Sequence, residues 1–322
     1  MRIFAALFFC AAVAGGSNAA VADEACRGHP DALGVSRVLT ISPEDFTRIG
    51  TMQYRQTLPL KDHEVVITFD DGPLPPYSDR ILDTLASQCV KVTYFLVGQM
   101  ARAYPATVRR MYNEGHTIGT HSLDHPLVFQ TLSSERVERE VDGGINLVDA
   151  ALGDPAALSP FFRIPGLGRS KTAESFLAAH DLVTWSADVV ADDWFRHISA
   201  QAIVERAMRR LEARGNGILL LHDIHPATAM ALPVLLKELK KNGFHVVQVV
   251  AAGERPASVP ELVATAKTAW PTVVQASAKS SDTPERNRGV RLAAARKHRA
   301  TAVVANAPAA DYYSQNRSAG QF

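Results

Sequence analysis

Cysteine is scarce. Three cysteines in 322 residues are too few for a thiolate-rich zinc site. Net charge is almost absent as well. A formal +1 gives the whole chain no bias toward nucleic acid, so no nucleic-acid partner is expected. Long apolar runs are missing beyond the first residues, so no transmembrane segment is expected. No serine nucleophile elbow and no phosphate-cradling glycine loop stand in the sequence. These absences turn attention to acids, histidines and arginines.

What is present divides the chain. Arg2, the apolar run Ile3 to Val13 and the small residues ending in Ala20-Val21-Ala22 read as a signal peptide over residues 1–22. The chain is therefore expected to be exported, to a periplasm or the extracellular medium. Cys26 and Cys89 remain after cleavage. In an exported chain the two could pair; alternatively Cys89 is a buried free thiol, and spacing does not decide between them. Residues 23–60 read as an irregular lead-in and residues 61–252 as one regular domain. Residues 253–322 read as a helix near Val259–Trp270 followed by a disordered basic tail with Arg286, Arg288, Arg291 and Arg296. That tail reads as a solvated segment without a partner, or as a weak contact for an anionic cell envelope.

Within the regular domain, apolar strands alternate with amphipathic helices about seven times. Strands are expected at 65–69, 91–97, 116–120, 161–163, 182–186, 217–221 and 244–249. Helices are expected at 78–87, up to 113, from Ser133 or Ser134 onward, and at 173–179, 200–213 and 229–241. The strands are apolar throughout, which suits a parallel sheet covered on both faces, open or closed into a barrel. In such folds functional residues gather at the carboxyl ends of strands.

Five polar clusters stand at those ends. Asp70 and Asp71 close the first strand, just before Gly72-Pro73. The turn could bring both carboxylates into one pocket, where one binds a cation and the other takes a proton. His121 and His125 are four apart, on one face if the segment makes a helical turn. With one carboxylate they give a two-His, one-carboxylate metal set with open positions. Arg163 ends an apolar strand and needs an acid if it is buried. Asp188, Asp192 and Asp193 precede Trp194 and could pair with Arg163 or orient a histidine. His222 ends a very apolar strand and is a candidate general acid. Each cluster alone has a bland reading: a turn, a surface histidine, a snorkelling arginine, an acidic loop, a structural histidine.

Their order and spacing resemble the NodB-like polysaccharide deacetylases, over roughly residues 60–252. Thr68–Pro73, His121–His125 and Leu221-His222 carry the resemblance. It implies an α/β fold, a distorted (β/α) barrel, and a divalent metal, most often zinc, with cobalt, nickel or manganese as alternatives. It implies Asp71, His121 and His125 as metal ligands and Asp70 as the base that activates water. It also implies Arg163 as the residue orienting that base, His222 as the acid, and Asp193 as the acid's partner. Leu221 corresponds to a wall of the acetate pocket, and Trp194 stands at the substrate side. The family's aromatic residue after Arg-x-Pro is replaced by Gly166, which keeps only a backbone N–H for an oxyanion. The implied activity is hydrolytic removal of N-acetyl or O-acetyl groups, and the implied substrate is an acetylated polysaccharide or oligosaccharide. The alternatives are hydrolysis of a non-sugar amide by the same groups, or a silent carbohydrate-binding protein.

Overall fold

The computed structural model describes Cys26 and residues 29–252. The signal peptide read over residues 1–22, the helix at Val259–Trp270 and the basic tail lie outside the described residues. Among the described residues there are ten strands: β1 (Arg37–Ile41), β2 (Arg48–Ile49), β3 (Glu64–Asp70), β4 (Thr93–Leu96), β5 (Thr117–Thr120), β6 (Phe161–Arg163), β7 (Val183–Trp185), β8 (Val189–Val190), β9 (Gly217–His222) and β10 (His245–Ala251). The α-helices are α1 (Tyr77–Ser87), α2 (Gly98–Ala103), α3 (Pro105–Asn113), α4 (Ser134–Leu152), α5 (Lys171–Ala179), α6 (Ala200–Arg214) and α7 (Pro226–Lys241). Every strand pairing is parallel. The ladder runs β8-β9-β3-β4-β5-β6-β7-β2, with β10 and β1 added beside β3. This is the expected α/β architecture, a distorted barrel of the NodB type.

The pleat explains which residues reach the site. In β3, Val65, Ile67 and Phe69 pack into the layer shared with Ile81, Leu85, Leu235 and other helix residues. Val66 faces the barrel interior with Phe95, Phe161, Trp185 and Ile218. Side chains alternate along a strand, so Thr68 and Asp70 share the inner face with Val66. Full burial of β3 on both sides is why it carries no polar alternation.

The lead-in over 23–60, expected to be irregular, supplies two strands. β1 pairs with β10, and β2 pairs with β7 in the register Arg48↔Thr184 and Ile49↔Trp185. Strands of five and two residues among Gly, Pro and Ser carry too short a pattern to be read from sequence. Tyr104 separates α2 from α3, because Pro105 cannot donate to a continuing helix. Ser133 caps α4, its hydroxyl accepting from the Arg136 N–H, so Ser134 is the first helical residue and not the cap.

The barrel seam between β2 and β8 is closed by a side chain. Asp188, buried after β7, accepts from the Thr51 N–H and hydroxyl at 2.8 and 2.7 Å and from the Thr57 hydroxyl at 2.8 Å. Its other face takes the Ile218 N–H at 2.9 Å and Arg214 at 3.2 Å. Asp188 thus holds the lead-in to β9 and does not pair with Arg163.

Cys26 and Cys89 form a disulfide, which settles the alternative left open by spacing. The bridge ties the start of the described chain to the end of α1 across a sequence separation of 63 residues. Loop closure of that length constrains the unfolded chain by about 4 kcal/mol in the chain-entropy treatment. Replacing both cysteines by Ala should therefore lower the melting temperature by several degrees. An unchanged thermal midpoint under non-reducing conditions would show that the bridge adds nothing.

Candidate active site

All five sequence clusters meet at the carboxyl ends of the strands. Asp70 ends β3 and His222 ends β9, and the two are direct register partners across the β3–β9 ladder. Neighbouring strands lie about 4.8 Å apart, so this pairing alone sets the two side chains next to each other. Asp71 follows with a φ of 77°, a left-handed conformation rare for a non-glycine residue. That turn keeps the second carboxylate with the first instead of sending it to the opposite face. The Gly72–Pro73 peptide bond is cis.

His121 and His125 converge on Asp71 without a helical turn. Ser122 and His125 have φ values of 71° and 52°, and the His125 N–H donates to the Ser122 hydroxyl at 3.0 Å. The expected one-face geometry is therefore achieved by a left-handed loop, while the metal-type grouping itself is present. Asp71 Oδ1 lies 3.4 Å from His121 Nε2 and 3.3 Å from His125 Nε2. One ligand atom from each of the three residues falls within 4.8 Å of the others.

The donor chemistry of this cluster suits a cation. His121 Nδ1 stands 2.6 Å from the Arg163 carbonyl oxygen. A carbonyl only accepts, so Nδ1 carries a proton and Nε2 is the ring nitrogen that faces Asp71. Burial lowers the His125 pKa to about 4, keeping that imidazole neutral at neutral pH. Burial works to raise the Asp71 carboxyl pKa, but His125, His121 and His222, when protonated, hold it below its ordinary range. Its Oδ1 is buried and accepts no hydrogen bond. Two imidazole nitrogens and an unsatisfied carboxylate oxygen facing one point form a donor set for a positive charge. Asp71, His121 and His125 fit a divalent cation.

Arg163 is fully buried and its Nη1 donates to Asp70 Oδ1 at 2.6 Å and to the Thr68 hydroxyl at 2.8 Å. Its Nη2 donates to the Ser186 carbonyl at 3.0 Å, and the Phe95 ring lies 4.3 Å from the guanidinium carbon. Asp70 Oδ2 is left on the side of His121, 3.9 Å from Nε2. Of the three acids before Trp194, Asp193 is the one that reaches His222. Its Oδ1 accepts from His222 Nδ1 at 2.7 Å, and its Oδ2 accepts from the His222 N–H at 2.8 Å and the Thr228 hydroxyl at 2.7 Å. Asp192 instead pairs with Arg206 and Arg210. Burial pulls the His222 pKa down, but Asp193, with Asp71 and Asp70, pushes it up to about 10. The Trp194 ring meets the His222 ring edge-on at 5.6 Å.

Two details differ from the sequence reading. Leu221 does not line the site: it packs with Phe69 and Leu219 in the helix-facing core. His222 alternates to the inner face, so the residue sharing that face is Leu220. Gly166 has a φ of 56°, followed by Leu167 at 53°, and the positions of a Cβ on Gly166 meet nothing within 4 Å. The Leu167 and Gly168 amides bond back to Ile164 and Pro165, so the Gly166 N–H is the unspent donor of this turn.

Asp223 was not singled out by its sequence position. Its buried carboxyl accepts from the Ser78 hydroxyl at 2.6 Å and lies where a side chain at Gly72 would have to go. Burial pushes its pKa up to about 7. It braces the turn that presents Asp70 and Asp71. Only its adjacency to His222 hinted at this, since the partner Ser78 is remote in sequence.

A family model described as polysaccharide deacetylase matches residues 57–185. A peptidoglycan-N-acetylglucosamine deacetylase of Bacillus cereus is 31% identical over 195 residues, covering 60% of this chain and 89% of that protein. A peptidoglycan-N-acetylglucosamine deacetylase of Listeria monocytogenes is 30% identical over 185 residues, 58% of this chain; the chain spans only 38% of that relative's length. A solved peptidoglycan deacetylase of Bdellovibrio bacteriovorus superposes with a TM-score of 0.61 at 29% identity, covering 71% of this chain and 63% of that one. The chain belongs to the polysaccharide deacetylase family.

Proposed function

We propose that this protein is an exported, metal-dependent hydrolase that removes N-acetyl groups from a glycan, with peptidoglycan as the first substrate to test. The observation carrying this reading is the register pairing of Asp70 with His222. It sets a base anchored by Arg163 and an acid anchored by Asp193 beside the cluster of Asp71, His121 and His125. The relatives named for acting on peptidoglycan support the substrate class. The disulfide supports export, because such bonds persist in oxidising compartments. Among the described residues no helix is long and apolar enough to cross a membrane.

Asp71, His121 and His125 would hold a divalent cation, which when bound would supply Lewis acidity toward the acetyl carbonyl and toward water. Asp70 takes the proton from the attacking water. Arg163 fixes the carboxylate through Oδ1 and leaves Oδ2 for that transfer. The Gly166 N–H is the chain's own donor for the developing oxyanion. His222 is protonated at neutral pH, its Nδ1–H committed to Asp193, so the Nε2 proton is available to the leaving amine.

The test is acetate release from a panel of acetylated glycans, including peptidoglycan and chitin oligomers. Activity should disappear with a chelator and return with zinc, cobalt, nickel or manganese. Chelator-insensitive release would remove the metal from the reaction. A chain that binds the cation yet releases acetate from no glycan would point to a non-sugar amide or to a binding protein.

A further inference from the structure

We propose that the lead-in residues Gly50–Tyr54, which precede the family match, belong to the reaction site, and that Gln53 is a positioning residue for the turn carrying the Gly166 N–H. The inference rests on the hydrolase reading above. Its structural basis is a set of bonds that does not involve the family's motif residues alone.

Topology puts the segment on the right face. β2 runs parallel to β7, so the loop after Ile49 leaves from the same end of the sheet as the loop that follows Arg163 and the loop bearing Asp193. Gly50 makes the close approach to β7: a Cβ there would lie 2.7 Å from the Ala187 nitrogen, and φ is 103°. The Met52 N–H donates to the Ala187 carbonyl at 3.0 Å. The segment is therefore fixed before it reaches the turn at Gly166.

Gln53 then holds that turn. Its Nε2 donates to the Leu167 carbonyl at 2.6 Å, and Arg169 Nη1 donates back to the Gln53 carbonyl at 2.7 Å. The buried Glu174 carboxylate gathers the ends of the clamp. It accepts from Arg169 at 2.6 Å, from Arg48 at 2.9 Å and from the Tyr54 hydroxyl at 3.2 Å, while the Arg169 guanidinium lies 4.8 Å from the Tyr54 ring centre. The turn needs such a hold. Two successive residues have positive φ, and Gly166 offers no side chain to pack. Where the sequence gives up an aromatic side chain at 166, the lead-in supplies the constraint from outside.

Misplacing a catalytic group by about 1 Å costs on the order of 100-fold in rate, so loosening this turn should act mainly on kcat. Gln53→Ala and the isosteric Gln53→Glu, which has no donor for Leu167, are each expected to lower kcat roughly 10- to 100-fold, with KM within about twofold of wild type. A merely structural residue would lower stability and leave the kcat of the folded fraction intact. Hydrogen exchange of the Leu167 and Gly168 amides reads the clamp without turnover, and both should exchange about tenfold faster or more in Gln53→Ala. Wild-type kcat in both variants overturns the positioning role and leaves the hydrolase reading standing. Unchanged exchange at both amides overturns the clamp, whatever the activity. A wild-type chain that releases no acetate overturns the hydrolase reading itself, which is seen before any variant is compared.

Discussion

Asp70→Asn should retain the bound cation and lose acetate release by roughly 1,000-fold, the middle of the range that general-base removal spans. Asn has the volume of Asp and still offers Arg163 an amide oxygen, so the Nη1 bond at 2.6 Å has an acceptor. What disappears is the proton-accepting carboxylate. The three metal-type donors are untouched, because Asp71, His121 and His125 meet one another independently of Asp70 Oδ1. Stability should fall too, because the fully buried Arg163 loses its only carboxylate partner within ion-pair reach among the described residues. Breaking a buried pair by removing one charge costs about 3–5 kcal/mol, and the isosteric amide should keep the loss toward the lower end. Metal content, acetate release and a denaturation midpoint on the same preparation check all three parts. Full activity with metal bound would remove Asp70 as the base; loss of metal along with activity would make it a ligand.

Much of this site was legible in the sequence because strand ends concentrate chemistry. Asp70, Arg163 and His222 each end a largely apolar strand, and a polar residue at such a boundary is already placed at the mouth of a barrel. The grouping of Asp71 with the two histidines could be read from residue type, but its backbone could not. His121 and His125 looked like one face of a helical turn, and a left-handed loop produced the same convergence. Leu221 shows the sharper limit. A continuous run of leucines looks the same on both faces of a buried strand; only the observed packing puts Leu221 with the helices, and its register neighbour Leu220, opposite Thr68, then falls on the inner face. β2 is just two residues long, and its importance lies in what the following loop grips. Asp188, Asp192 and Asp193 could not be told apart by spacing. Each went to a different partner: Asp188 to the lead-in and the Ile218 N–H of β9, Asp192 to Arg206 and Arg210 of α6, and Asp193 to His222 at the end of β9.

Asp193→Asn should move the alkaline limb of the kcat/KM profile to lower pH and cut the rate at neutral pH by about 100-fold or more. The geometry dictates how the amide sits. Oδ2 faces two donors, the His222 N–H and the Thr228 hydroxyl, so the Asn oxygen takes that place. The NH2 group then points at His222 Nδ1, which can no longer donate. The imidazole is forced into the tautomer protonated on Nε2, and its cationic form loses the buried carboxylate that stabilised it. In the parent chain burial works against protonation, and Asp193, with Asp71 and Asp70, raises the His222 pKa to about 10. A rate that requires the protonated acid is flat below that pKa and falls as pH rises through it. A cation on Asp71 removes part of the support, so the limb of the loaded protein lies below 10. Without Asp193, burial dominates and the limb moves toward or below the ordinary histidine value of about 6.5. The same change is visible without turnover. A raised folded pKa contributes stability that is complete below about 6.5 and is lost as pH climbs toward 10, so the parent chain should weaken across that window and the variant should not. Melting curves from pH 6 to 10 and a pH–rate profile test both halves. A uniform loss of rate with the limb unmoved would mean that Asp193 holds the position of His222 and leaves its charge to other groups.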